Sequence, residues 1–223
     1  MIEIKNVTKT YNYKKSNAFT ALHNVSLKIE SGEMISIIGK SGAGKSTLLH
    51  IMACIDKFEE GSYMLDGIEV DKLSDKEVSD VRNKKIGIVM QDFALIDDYS
   101  VIDNVKIPLA FSRKKKGADS NELALSALEK VGMKELYKKP VSKLSGGQKQ
   151  RVAVARAIVN DPEYIFADEP TGALDSKTAA EIMGLFKALN KIGKTVIIIT
   201  HDKNVAKTGD RIIHIFDGNL KEL

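Results

Sequence analysis

The sequence predicts an α/β fold, with a core of buried strands and covering helices, a helical insertion and an antiparallel β flank. Three observations carry this expectation. The runs MISIIG, IGIVM and TVIIIT are continuously apolar, as strands covered on both faces are. A glycine-rich segment, GKSGAGKST at 39–47, stands directly between the first of these runs and a helical pattern. Residues 100–160 then change to helical periodicity before strand character returns at YIFADE.

Along the chain, IEIKNV alternates as a strand, ALHNVSLKIE follows as another, and SGE turns into MISIIG. STLLHIMACI reads as a helix with Leu48, Leu49, Met52 and Ile55 on its buried face, and Cys54 within it as a packed, inert thiol. GSYMLDGIEV is a hairpin around Asp66-Gly67, a pair suited to a two-residue turn with positive φ. Ser74 and Glu77 form a capping box for a short helix ending near Asn83. After IGIVM, SVIDNVKIPLA and SNELALSALEKVG are helical, the second stopped by Gly132. GGQKQRVAVARAIVN is a third helix and YIFADE a buried strand. Ser176 is the expected cap of a helix through Ile192, with Ile182, Leu185, Phe186 and Leu189 on one face and Gly193 as its stop. KTVIIIT and two strands in RIIHIFDGNLKEL complete the pattern. The whole reads as a single domain over 1–223, with core and β sub-domain in about 1–91 and 160–223, and a helical sub-domain in about 92–159.

Composition narrows the function. With 223 residues the chain can bury a full core, and 43% hydrophobic with 29% charged residues is ordinary for a globular protein. The net charge of +4 is too mild to point to nucleic acid. No apolar run reaches the roughly 18 residues of a membrane span, and MIEIKNVTKTY lacks the apolar stretch of a signal peptide. One cysteine cannot form an internal disulfide, which fits a reducing cytosol. The basic clusters Lys14-Lys15 and Arg113-Lys114-Lys115-Lys116-Gly117 read as solvated loops, with contact to phospholipid head groups as the alternative.

Gly39-Lys40-Ser41-Gly42-Ala43-Gly44-Lys45-Ser46 satisfies G-x-x-x-x-G-K-[ST], preceded by a strand and followed by a helix. The glycines permit positive φ and let backbone N–H groups close on phosphate oxygens, and the helix N-terminus faces the same anion. Lys45 is expected to reach the β and γ phosphates and Ser46 to place its hydroxyl on Mg²⁺. In YIFADE a buried strand ends in two carboxylates. Asp168 suits a Mg²⁺ water shell, and Glu169 suits orienting the attacking water and taking its proton.

LSGGQ at 144–148 supplies a second anion site: the Ser145 hydroxyl and the N–H groups of Gly146 and Gly147 at a helix start. This stretch resembles the signature of ATP-binding-cassette (ABC) ATPases, and the family's other marks follow in order over essentially the whole chain. The resemblance implies a P-loop NTPase (RecA-like) core with an antiparallel β sub-domain and a helical sub-domain insertion. It implies ATP and Mg²⁺, with nucleotide contacts from Gly39, Ser41, Gly42, Gly44, Lys45, Ser46 and Thr47. Gln91 resembles the Q-loop, a Mg²⁺ ligand that reports to a partner, and ADEPTGALD resembles the catalytic strand end running into the D-loop with Asp175 as its acid. His201 resembles the switch histidine that hydrogen-bonds the γ-phosphate. Tyr11 lies where the family stacks an aromatic under adenine, with Tyr13 and Phe19 as nearby alternatives.

The resemblance also implies a head-to-tail homodimer around two ATP molecules. Each pocket then takes the phosphate loop and Glu169 from one chain and Ser145, Gly146, Gly147 and Gln148 from the other. RNKKIGIVMQDFALIDDYSVIDNVKIPLAF is similar to the branch serving lipoprotein release, macrolide export and antimicrobial-peptide resistance, which also holds a cell-division ATPase that transmits force without transport. That branch implies a separate membrane permease, docked through residues such as Phe93, Leu95 and Ile96, and a cytoplasmic position on the inner face of the membrane. GTPases share the phosphate loop but need N-K-x-D, and Asn190-Lys191-Ile192-Gly193 lacks the acid. Nucleic-acid-directed ABC proteins usually carry two cassettes or added insertions, and none is visible.

Overall fold

A computed structural model describes residues 1–112 and 119–222. The basic run at 113–117 lies outside the described residues. In chain order the elements are β1 (Ile2–Tyr11), β2 (Phe19–Ile29), β3 (Met34–Ile38), α1 (Lys45–Met52), β4 (Glu60–Leu65), β5 (Ile68–Glu69), α2 (Asp75–Lys85), β6 (Ile86–Val89), α3 (Val101–Ala110), α4 (Ser120–Lys130), α5 (Gly146–Ile158), β7 (Tyr164–Asp168), α6 (Ser176–Lys191), β8 (Thr195–Ile199), α7 (Lys203–Ala206), β9 (Arg211–Phe216) and β10 (Asn219–Glu222). The chain forms two compact units, Met1–Ser79 with Thr195–Leu223, and Asp80–Lys194.

In the first unit, β2, β1, β4 and β5 form an antiparallel sheet in that order. Ile2 and Ile4 face inward, but Asn6 takes φ 52° and the register shifts between Ile4 and Val7. This bulge changes the parity of the strand, so Val7 and Lys9 are the next buried residues. The β4–β5 turn has φ 50° at Asp66 and 79° at Gly67, as the Asp-Gly pair predicts. Strands β10, β9, β3 and β8 lie side by side in that order, with β3 parallel to both β8 and β9. Every residue of β8 is buried, in keeping with its unbroken apolar run. Helix α1 buries Leu48, Leu49, Ile51 and Met52, then stops. Cys54 takes φ 56° and turns the chain away, so Ile55 is exposed rather than on a buried helix face. Cys54 itself is buried.

The Ser74–Glu77 capping box is present, and α2 runs on to Lys85 because no breaker intervenes. In the second unit β6 and β7 pair in parallel, with Val89 opposite Ala167. Gly87 is required by close approach, because a Cβ there would run into the Ala157 carbonyl oxygen. Helices α3, α4 and α5 pack on one another. Buried Asn104 fastens the preceding loop, donating to the carbonyls of Ile96 (3.0 Å) and Ser100 (3.1 Å) and accepting from the Ile96 N–H (2.8 Å). The cap of α6 is Asp175, not Ser176: its carboxylate accepts from the N–H groups of Lys177 (3.1 Å) and Thr178 (3.0 Å). The buried face of α6 holds Ile182, Met183, Phe186 and Leu189, with Leu185 half-buried beside them.

Candidate active site

The phosphate loop belongs to the first unit. It leaves β3 after Ile38, and Gly39 passes so close to β9 that a Cβ would meet the Ile215 carbonyl oxygen. Gly42 (φ 78°) and Gly44 (φ 104°) take the left-handed conformation, and Gly44 caps α1. The loop curls around its own lysine: Lys45 Nζ donates to the carbonyls of Gly39 and Lys40, 2.9 Å each. Ser41, Gly42 and Ser46 are exposed, while Thr47 is half-buried. The cradle, the ammonium at its centre and the helix start behind it suit a polyphosphate.

Two more predicted residues share this unit. Ile37 on β3 is opposite Ile199 on β8, so Gly39 and His201 leave neighbouring parallel strands at the same end. This is the edge at which open α/β sheets hold their ligands. His201 is exposed, between Thr200, whose N–H donates to the Ile37 carbonyl (3.1 Å), and Asp202, which caps α7. Tyr11 Oη lies 3.2 Å from Thr47 Oγ1 at the end of the loop. Tyr13 and Phe19 are each more than half exposed. The parity change in β1 also brings in Lys9, which sequence reasoning missed. Its Nζ stands 5.0 Å from the centre of the Tyr11 ring, pairs with Asp56 (3.1 Å) and Glu59 (3.6 Å), and donates to the Lys57 carbonyl (2.6 Å).

The remaining predicted residues belong to the second unit. Because β6 and β7 are parallel, Gln91 and Glu169 each emerge two residues past a paired position, at the same end of adjacent strands. Asp168 is buried at the end of β7, and Glu169 is half-buried with φ 44°. A left-handed glutamate is uncommon, and such positions cluster at functional sites. Gln91 is exposed and opens a loop in which Phe93 (φ 62°) and Ala94 (φ 47°) are also left-handed. Arg156 of α5 explains that loop: its guanidinium donates to the carbonyls of Phe93 (2.7 Å) and Ala94. Burial lowers the Arg156 pKa, with Asp92 opposing the shift. Lys149 of the same helix pairs with Asp97 at 2.9 Å. An arginine inside the apolar run VAVARAI was the sequence signal for this clamp. Phe93 and Leu95 are half-buried, whereas Ile96 and Tyr99 are exposed.

Ser145 caps α5, and the box is reciprocal. The Gln148 N–H donates to Ser145 Oγ (3.3 Å), and the Ser145 N–H donates to Gln148 Oε1 (3.1 Å). Gly146 and Gly147 form the first turn of that helix. Asp175 also accepts from the Thr178 hydroxyl at 2.6 Å, which together with the Thr178 N–H holds its carboxyl below the usual carboxylate value.

Residues 22–172 match the ABC transporter family model. The chain is 46% identical to the ABC transporter ATP-binding protein YknY of Bacillus subtilis (strain 168), covering 99% of this chain and 95% of that protein. It is 46% identical to the macrolide export ATP-binding/permease protein MacB of Chlorobaculum tepidum, covering 98% of this chain but 33% of that longer protein. A solved dimeric structure of the ATP-binding cassette MJ0796, in a post-hydrolysis state with ADP and Pi, superposes with a TM-score of 0.91 at 45% identity, covering 100% of this chain and 98% of the other. The corresponding protein of Methanocaldococcus jannaschii is 49% identical over 228 residues, covering 99% of this chain and 95% of that protein.

Proposed function

The chain belongs to the ABC transporter family, and from that premise we propose that two copies close around ATP to work a separate membrane permease on an export or extraction path. It is an ABC ATPase, with the P-loop core, antiparallel β sheet and helical segment of that fold. The observation that carries the dimer is the helix start at Ser145–Gln148, which we read as a second anion site in a chain that already has a phosphate loop. The dimeric cassette bound to ADP and Pi, at a TM-score of 0.91, supports the same reading.

In this reading Tyr11 stacks on adenine, and the loop Gly39–Thr47 holds the phosphates. Lys45 places two ammonium donors on loop carbonyls, and a third is available to a phosphate oxygen. His201 and, from the second copy, Ser145, Gly146, Gly147 and Gln148 reach the γ-phosphate, with Asp175 beside them. Glu169 takes a proton from the attacking water, whose oxygen bonds to the γ-phosphorus as the bridging oxygen leaves with ADP. Ser46, Gln91 and Asp168 are hard oxygen donors of the kind Mg²⁺ prefers. Mg²⁺ held by such donors would neutralise phosphate charge.

The permease is the proposed partner, with this chain on the cytosolic side of the membrane. No helix among the described residues is long and apolar enough to cross a membrane, and MacB is named as an ATP-binding/permease protein, which supports a permease as partner. Exposed Tyr99 lines an open groove of about 410 Å³ together with Asp98, Asp103, Lys106, Ile107 and Ala110. That groove is the docking surface we favour over the half-buried Phe93 and Leu95.

The test is Glu169→Gln. It should bind ATP, lose at least ~10²-fold in turnover and accumulate an ATP-dependent dimer in sedimentation. Turnover at the wild-type rate would remove Glu169 from its role. Recovery of the tagged chain from native membranes should bring a permease with it, and recovery of ribosomes instead would overturn the transport reading.

A further inference from the structure

The two glycines of the turn at 145–148 face different neighbours. Both lie in α5, and neither has a left-handed φ, so backbone conformation demands glycine at neither. A Cβ on Gly146 would meet Leu174 Cδ2 at 3.6 Å, an ordinary contact. A Cβ on Gly147 would stand 2.5 Å from Thr178 Cγ2, while the Thr178 Cβ and Oγ1 would be 3.7 and 3.8 Å away. The obstruction is therefore one methyl group.

That methyl cannot swing aside without loss. Thr178 Oγ1 donates to Asp175 Oδ2 at 2.6 Å, and its N–H donates to Asp175 Oδ1 at 3.0 Å. A β-branched side chain has few rotamers, and rotating the methyl away breaks the hydroxyl bond. Asp175 is in turn fixed as the cap of α6. Two tight turns join it to the base candidate: Leu174 N–H to the Thr171 carbonyl, and Gly172 N–H to the Glu169 carbonyl, both 3.1 Å. Two backbone turns, the peptide link to Asp175, its bonds to Thr178 and the close approach of Thr178 to Gly147 thus connect Glu169 to Gly147 within one chain.

We propose that Thr178 is a positioning residue that seats the signature turn on the segment following Glu169, linking a chain's own hydrolytic site to the turn it lends to its partner. The proposal rests on the two-copy reading above. It makes Gly147 a glycine because of an internal contact, whatever the ligand also requires.

The experiment compares steady-state ATP turnover by the wild-type chain, Gly147→Ala, Thr178→Ser and the double variant, with Gly146→Ala as the control background. Serine keeps the hydroxyl that binds Asp175 and removes the methyl. Gly147→Ala should lower kcat at least ~10-fold with KM for ATP changed less than ~2-fold, and adding Thr178→Ser should recover at least ~5-fold of it. Thr178→Ser should bring no recovery to Gly146→Ala. Absence of recovery at Gly147, or undiminished activity of Gly147→Ala, would overturn the proposal. If Gly147→Ala does not fold, regain of folded protein by circular dichroism on adding Thr178→Ser supports it, and no regain overturns it. Thr178→Val keeps the methyl but drops the bond to Asp175, so kcat should fall at constant KM; an unchanged kcat would break the link to Asp175. Wild-type turnover per chain that stays constant across a dilution series into monomer would instead bring down the two-copy reading itself.

Discussion

Lys9 is buried beneath Tyr11 only because a single backbone irregularity at Asn6 changes which side of β1 faces inward. Its ammonium pairs with two carboxylates, and a neutral side chain there would leave Asp56 and Glu59 without the cation they share. Lys9→Met should destabilise the protein by about 2–3 kcal/mol, below the usual cost of breaking a buried pair because both acids retain some contact with water. Urea unfolding curves would measure it. Tyr11→Ala should weaken ATP binding by roughly 5- to 150-fold, the equivalent of about 1–3 kcal/mol of stacking, and leave kcat nearly unchanged. Tyr11→Phe keeps the ring and loses only the approach to Thr47, so its ATP dissociation constant should rise by less than ~3-fold. Calorimetric titration with ATP would separate the two.

At the scale of the element, stability and legibility meet in α6. Asp175 and Ser176 are both good capping types, and the sequence reading places the cap at Ser176, one residue too late. The hydroxyl of Thr178 decides it, since it reaches Asp175 and completes the cap. Asp175→Ala should lower the melting temperature by roughly 2–4 °C, and Ser176→Ala by less than about 1 °C. The Asp175 carboxyl is held below its usual value, so the folded state favours its ionised form. That contribution is complete above the unfolded value near ~3.9 and disappears as pH falls through the lower folded value. The melting difference between wild type and Asp175→Ala should accordingly narrow below about pH 4. Elements with a strong local signal were readable: β3, β6 and β8 from their apolar runs, the Asp66-Gly67 turn, the cap at Ser74 and the helix start after Ser145, though not the cap that the Ser145 hydroxyl makes. What escaped depends on contacts distant in sequence or on parity. Arg156 acts on carbonyls more than sixty residues away, Ile55 was lost when α1 ended early at Met52, and Lys9 was hidden by the bulge. The motif residues proposed for the candidate site were named from local patterns, because glycine-rich turns and strand-end acids are local. The residues that brace them, Lys9, Arg156 and Thr178, were not.

For the whole molecule, the proposed pocket, completed by a second copy, would make activity depend on encounter. Specific ATPase activity of the isolated chain should rise with protein concentration until dimers dominate, and Ser145→Ala should lower that activity while leaving equilibrium ATP binding to the single chain within about 2-fold. Fluorescent-nucleotide binding and a dilution series would check both. The far end of the chain has its own hold on the pocket. The β9–β10 hairpin presses the Ile215 carbonyl against Gly39 and donates the Gly218 N–H to the Ala43 carbonyl at 3.1 Å. Proteolytic trimming back to Asp210, or a bulky fusion that pries the hairpin loose, would therefore cripple nucleotide capture even though every residue assigned to the nucleotide remained in place.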